Sequence, residues 1–256
     1  MTLHRLEDAA SDEDARKYIK MGYQSLVGSI LWASRMCYPE MSVGAHMLCR
    51  LMSKPNERAW KCANHAIKYL YNNKDEGLKF RSDGNKDPIC YYDASNKADP
   101  LDGKAQYGYV FMLYNGPIIW SSKKHNHVGM SSTQNEYMAL SQASREAEWL
   151  KQILIEVGYW PRNTKKYIPM LGDNHNATLY SREDMITSGN KFILQDYHFA
   201  KECIERGTTC TRNINTKANI SDLFTKSVPK QVIERLRPIL KGGGGLLPNP
   251  PPPPDD

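Results

Sequence analysis

The sequence predicts an α/β protein in which a small helical module precedes a domain of mixed strands and helices. Three observations carry the expectation. Apolar residues keep helical spacing from Tyr18 to Tyr71, a turn cluster at Asp83-Gly84-Asn85 continues into Asp87-Pro88, and strand-length apolar runs alternate with helical ones beyond it.

Within the first stretch, Leu26, Ile30 and Ala33 form one run, Val43, Met47 and Leu51 a second, and Trp60, Ala63, Ile67 and Leu70 a third. Pro39 and Pro55 fall between the runs, where helices end. The second stretch opens with strands at Ile89 to Ala94, Gln106 to Tyr114 and Ile118 to Lys123, the last two joined by a tight turn at Asn115-Gly116-Pro117. These predict a three-stranded antiparallel meander. Ser131, Ser132 and Thr133 are cap candidates for a long helix that puts Tyr137, Leu140, Ala143, Ala147, Leu150 and Leu154 on one face and ends near Gly158. A strand at Lys166 to Gly172, a helix at Gln195 to Arg206, a strand at Thr208 to Ile214 and a helix from about Ile220 complete a β-β-β-α-β-α-β-α order. The expected organisation is an acidic disordered lead at 1–17, the helical module at 18–84, the α/β domain at 85–241 and a disordered tail at 242–256. The tail holds four glycines and then six prolines within the last nine residues, a composition that buries too little to order itself.

Composition narrows the class. A chain of 256 residues, 40% hydrophobic and 24% charged, has room for two small cores. No apolar stretch approaches the roughly 18 residues of a membrane-spanning helix, the longest being Tyr109 to Tyr114. Glu7, Asp8, Asp12, Glu13 and Asp14 stand against Arg5 alone near the start, the opposite of a secretory or mitochondrial leader. Six cysteines without CxxC pairs read as reduced thiols. An intracellular setting, cytoplasm or nucleus, is therefore expected. Residues 16 to 80 hold eleven Lys/Arg against four Asp/Glu, so the basic excess sits in the first third, as polyanion contact or a solvated helix face would require.

The chemistry-bearing residues are four acids at special positions. Asp93 lies in the first strand, Glu136 in the first turn of the long helix, Asp173 at the end of the fourth strand and Asp222 at the start of the last helix. In an α/β fold such positions can converge at one edge of the sheet, where several carboxylates would hold divalent cations. Carboxylates at strand ends and helix N-termini also simply suit the helix dipole, and position alone leaves both readings open.

The local sequences add to this. Tyr-Tyr-Asp93-Ala, Trp120-Ser-Ser-Lys-Lys, Ser-Ser-Thr-Gln-Asn-Glu136-Tyr-Met-Ala-Leu, Glu148-Trp-Leu, Gly-Asp173-Asn and Ser-Asp222-Leu-Phe-Thr-Lys resemble the ribonuclease H domain of copia-type LTR retrotransposon polyproteins. Tyr23-Gln-Ser-Leu-Val-Gly-Ser-Ile-Leu-Trp-Ala and the stretch from Trp60 to Gly77 resemble the segment that joins reverse transcriptase to it. The resemblance spans roughly residues 18 to 235. It implies a ribonuclease H-like fold, a five-stranded mixed sheet flanked by helices, and an Asp-Glu-Asp-Asp set matched by Asp93, Glu136, Asp173 and Asp222. It further implies two Mg²⁺ ions, with Mn²⁺ able to substitute, and an RNA–DNA hybrid as partner and substrate.

Two places depart from the family pattern. Asp93-Ala94-Ser95 stands where Asp-Ala-Asp is usual, and Phe192-Ile193-Leu194 precedes Tyr197-His198-Phe199 where the family has a histidine and a carboxylate. The apolar run 192–194 or the Pro-rich tail offers a contact point for a protein partner, although the expectation for the tail is an inert disordered end. No Tyr-Val-Asp-Asp-like polymerase segment precedes residue 80, so the chain reads as a piece of a polyprotein or a host gene derived from one. A retroelement-derived binding subunit that no longer turns over is the competing expectation. Elsewhere, His125 and His127 fit an exposed turn, Cys62 and His65 fit core packing, and Tyr91, Tyr92, Tyr107, Tyr109 and Phe111 fit strand positions.

Overall fold

The structure, a computed structural model, describes residues 11–95, 103–126, 128–129, 131–180 and 194–244. Four helices come first: α1 (Asp12–Lys20), α2 (Tyr23–Met36), α3 (Ser42–Cys49) and α4 (Glu57–Asn72). They enclose a core of Tyr23, Val27, Ile30, Leu48, Ala59 and Ala63. Helix α1 corrects the expectation of a disordered lead over its described part. The Ser11 hydroxyl accepts from the Asp14 N–H at 3.0 Å, acids fill the first turn and lysines the last, and Ala15 and Tyr18 are buried. Those acids serve the helix dipole.

The expected meander follows as β1 (Ile89–Ala94), β2 (Gln106–Leu113) and β3 (Gly116–Lys124), paired antiparallel. Its tight turn lies one position earlier than the sequence suggests. Tyr114 and Asn115 adopt φ of 52° and 59°, the two left-handed residues whose twist suits a two-residue hairpin, so Gly116 and Pro117 already belong to β3. Pro117 is tolerated there because β3 is the sheet edge.

Helix α5 (Ser132–Glu156) is capped by Ser131, whose hydroxyl accepts from the Gln134 N–H, and Gly158 at φ 74° lies just beyond its end. Then come β4 (Ile168–Gly172), α6 (His175–Tyr180), α7 (Leu194–Glu205), β5 (Thr209–Asn213), α8 (Asp222–Thr225) and α9 (Lys230–Leu240). The single last helix expected from Ile220 is two, divided by the Ser227-Val228-Pro229 segment. Strands β4 and β5 run parallel to β1, giving a mixed five-stranded sheet in the order β3-β2-β1-β4-β5.

Alternation along β1 sorts the core. Cys90 and Tyr92 face α5 with Phe111, Leu140 and Trp160, whereas Ile89 and Tyr91 face α8 and α9 with Val110, Phe224 and Leu236. The helical module docks beside β3 and α9. The Trp120 indole N–H donates to the Ser34 carbonyl at 2.9 Å, and Glu40 meets Arg237 and Lys241 at 3.4 Å each. All six cysteines are free. Among the described residues no helix is long and apolar enough to cross a membrane. The apolar run at 192–193, the Leu194 side chain and the Pro-rich stretch from 245 on lie outside what the structure describes.

Candidate metal centre

Asp93 is the fifth residue of β1 and projects on the α8 face, 2% exposed. Glu136 sits one turn into α5 and is 3% exposed. Asp173 directly follows β4, and Asn174 then caps α6 by accepting the Ala177 N–H at 3.0 Å. Parallel pairing of β1 with β4 brings the ends of both strands together beside the start of α5. One ligand oxygen from each of Asp93, Glu136 and Asp173 can lie within 4.8 Å of the others.

Asp222 is not part of that trio. It heads α8 and pairs through Oδ1 with Lys226 Nζ at 2.6 Å, and the same ammonium lies 3.8 Å from Asp93 Oδ2. Two hydrogen bonds hold this segment over the sheet: Asn219 Nδ2 to the Tyr92 carbonyl at 3.1 Å, and the Ser122 hydroxyl to the Phe224 carbonyl at 2.6 Å. Gly108 lets Phe224 approach, since a Cβ there would lie 2.3 Å from the Phe224 Cβ. The Thr225 hydroxyl donates to Asp93 Oδ2 and fixes the carboxylate's orientation.

Electrostatics follow from burial and crowding. Burial pushes the Asp93 carboxyl up to about 6, against Lys226 and the Thr225 hydroxyl and together with Asp222 and Asp173. Burial, then Asp93 and Asp173, raise Glu136 well above the ordinary carboxylate range. Burial works against the charge of Lys226, yet Asp93, Asp222 and Asp173 outweigh it and raise its pKa. Glu136 Oε2 is buried with no hydrogen-bond partner. A buried, unpaired carboxylate oxygen facing two more carboxylates is a costly arrangement that a hard cation relieves.

The remaining sequence candidates fall out differently. His125 is buried and stacks on Tyr107 with centroids 4.7 Å apart, so it packs inside instead of sitting on an exposed turn; His127 lies outside the described residues. Cys62 packs partly against the helical core, while His65 is exposed, against the core reading. Tyr91, Tyr92, Tyr107, Tyr109 and Phe111 are buried strand residues. Ser95, where the family pattern has an acid, extends the β1–β2 ladder: its hydroxyl accepts the Gln106 N–H at 2.9 Å. Thr225 and Lys226 carried no role in the sequence reading. The Asp222–Lys226 spacing of four was the available signal.

An antiparallel meander continued by two parallel strands, with acids at the ends of β1 and β4 beside the start of the long helix, defines a ribonuclease H-like α/β fold. Its relatives include copia-type retrovirus-related Pol polyproteins, 27–29% identical over most of this chain. It is 29% identical over 230 residues to the retrovirus-related Pol polyprotein from transposon TNT 1-94 of Nicotiana tabacum, covering 89% of this chain and 17% of the polyprotein. The polyprotein from transposon RE2 of Arabidopsis thaliana is 28% identical over 209 residues, 81% of this chain and 14% of that protein. This chain thus spans under a fifth of the length of the polyproteins it matches. Secreted RxLR effector protein 161 of Plasmopara viticola is 34% identical over 128 residues, 50% of this chain and 90% of that protein. No protein-family model matches the chain. Similar solved structures include LC11-RNase H1 at 16% identity and TM-score 0.43, covering 59% of this chain and 97% of that one. RNase H1 from Halobacterium salinarum is another, at 16% identity and TM-score 0.41, covering 54% and 93%.

Proposed function

We propose that the chain is a retrotransposon-type ribonuclease H, a Mg²⁺-dependent endonuclease for the RNA strand of RNA–DNA hybrids. Asp93, Glu136, Asp173 and Asp222 would hold two Mg²⁺ ions, with Mn²⁺ as a substitute. One observation carries the reading: Asp93, Glu136 and Asp173 converge at one end of the sheet with Glu136 Oε2 buried and unpartnered. The donors are hard oxygens with no sulfur or imidazole among them, the set that suits Mg²⁺ or Mn²⁺.

When bound, the ions would activate the attacking water and stabilise the departing 3′ oxygen, leaving 5′-phosphate and 3′-hydroxyl ends. The chain's own residues prepare the site. Thr225 orients Asp93, β4 presents Asp173, and the first turns of α5 hold Glu136 rigid. Hybrid would be told from other duplexes by its A-like shape and by the 2′-hydroxyl, without base readout.

Incubating the purified chain with labelled RNA–DNA hybrid and Mg²⁺, beside single-stranded and double-stranded RNA, tests the reading. Cleavage confined to the hybrid and lost in Asp93→Asn is the expected result; equal cleavage by Asp93→Asn would place the activity elsewhere. A second reading, a binding subunit without turnover, is favoured by Lys226 seated on Asp222 and by Ser95 in place of an acid. Hybrid binding without cleavage in the same assay is its signature.

A further inference from the structure

We propose that the cleft between the helical module and the edge strand β3 is a binding track for the phosphate backbone of the nucleic acid that reaches the carboxylates. The inference rests on the nucleic-acid reading above but not on turnover. A cavity of about 480 Å³ lies between α2, α3, β3 and α5, with Arg35, His46, Lys123 and Trp149 in its walls. A second, of about 350 Å³, shares His46 and Lys123 and adds Arg50 and Lys124. Four permanent cations, from α2, the end of α3 and β3, therefore border two adjoining depressions that share His46 and Lys123. Among the described residues Glu146 is the one acid in either wall, and its Oε1 accepts from the Tyr109 hydroxyl at 3.1 Å.

Register ties the cleft to the metal centre. Asp93 pairs with Gly108, and Gly108 with Ser122, so Lys123 and Lys124 follow on β3 from the level of Asp93, two strands away. At about 4.8 Å per strand that is about 10 Å, the rise of about three nucleotides along one strand, so a strand whose phosphates lie along the cations can run on to the carboxylates. Trp149 is 53% exposed at the cleft, a flat apolar ring beside cations, which suits a sugar or a base. The hydrogen bond from Trp120 to the Ser34 carbonyl fixes the module against β3, so the cations from the two sides keep their spacing.

His46 reports the field. Burial lowers its pKa, and Arg35 and Lys123 lower it further, against a hydrogen bond to the Ser122 backbone. Both cations thus act on one imidazole. An anion in the cleft would offset them and raise the His46 pKa. The carboxylates repel phosphate until metal arrives, whereas the cleft needs none. Binding in the absence of metal isolates the track.

The test uses the full chain in EDTA with a labelled RNA–DNA hybrid, reading anisotropy across a salt series. Arg35→Glu and Lys123→Glu are each expected to weaken binding roughly tenfold and to flatten the slope of log affinity against log salt by about one for each phosphate that is no longer neutralised. Lys68→Glu, an exposed change of equal charge on α4, should leave the slope unchanged. By NMR, hybrid should move the His46 titration midpoint upward in the parent and not in the Arg35→Glu, Lys123→Glu double variant. If Lys68→Glu acts as strongly as the cleft variants, net charge alone explains binding and the track is wrong. A parent that binds hybrid with Mg²⁺ but not in EDTA overturns the track and leaves the metal-site reading standing; no binding under either condition overturns both.

Discussion

Lys226 Nζ rests 2.6 Å from Asp222 Oδ1 and 3.8 Å from Asp93 Oδ2, so an ammonium bridges the fourth carboxylate to the first. Lys226 follows the single turn of α8 in extended backbone and its side chain reaches back to Asp222 at the turn's start, and the bulk of Phe224 against Gly108 keeps that turn on the sheet. The lysine supplies positive charge where the acids crowd. A cation entering between Asp93 and Asp222 must compete with it. Lys226→Met is expected to lower stability in EDTA by about 1 kcal/mol, a modest figure because the side chain is 45% exposed and partly screened. The same change should tighten Mn²⁺ binding and enlarge the rise in melting temperature that Mn²⁺ produces. Thermal melts with EDTA and with graded Mn²⁺ check both signs; weaker Mn²⁺ binding in the variant would show that Lys226 organises the acids and does not compete for them.

Asp173 separates metal binding from folding. Its charge raises the carboxyls of both Asp93 and Glu136, so Asp173→Asn removes a repulsion while keeping the side chain's shape. The metal-free variant should be as stable as the parent, or more so by about 1 kcal/mol. Its metal-dependent gain in melting temperature should disappear. Loss of stability in EDTA would instead mean that Asp173 is held by a structural contact.

Gly108→Ala tests the placement of α8. A new Cβ would meet the Phe224 Cβ at 2.3 Å and its backbone carbon at 3.0 Å, and neither belongs to a flexible side-chain end. Either β2 or α8 must shift, at about 1–3 kcal/mol for overpacking. The shift carries Asp222, Thr225 and Lys226 with it, so stability and metal affinity should fall together in urea titrations and calorimetry. A stable variant with weakened metal binding would point to local displacement alone.

The periodicities made the layers legible, and the reasons are local. Strand β1 reads as a continuous apolar run because both its faces are covered, and the face of α5 that carries Tyr137, Leu140 and Ala143 is the one that packs on the sheet. That Asp93, Glu136 and Asp173 could converge followed from their places at strand ends and a first helical turn, but position alone left a helix-dipole role equally open, and the family resemblance was needed to single them out. The hairpin was misplaced by one position because Gly116 and Pro117 look like turn residues, while Tyr114 and Asn115 take the left-handed conformation. Helix α1 was missed because its acids resemble a solvated lead, although Ser11 and the buried Ala15 mark a capped helix. The distance between Lys226 and the acids, and the meeting of Arg35 with Lys123 around His46, depend on how separate elements pack. No window of sequence contains that information.

The last expectation concerns the joint between the helical module and the sheet. Glu40 is 4% exposed at its side chain and faces Arg237 and Lys241, which are 20% and 6% exposed, at 3.4 Å each. The Tyr69 hydroxyl donates to Glu40 Oε1 at 2.8 Å, and Arg237 also reaches Asn73 and Glu76. Lys241 Nζ lies 4.2 Å from the centre of the Tyr38 ring. One glutamate thus serves two cations from α9 and its C-terminal end, in a setting that excludes most water. Removing its charge leaves Lys241 without a carboxylate partner while Arg237 keeps Glu76, so the loss falls at the low end of the about 3–5 kcal/mol that breaking a buried ion pair costs. Glu40→Gln should lower the urea midpoint accordingly, while Glu57→Gln, on an exposed pair with Lys61, should change it little. Because Trp120 bonds to Ser34 across the same joint, its fluorescence should change at a lower urea concentration than the far-ultraviolet signal of the sheet and helices in Glu40→Gln, and together with it in the parent. Coincident transitions in the variant would mean that the module and the sheet unfold as one unit whether or not the buried pair is intact.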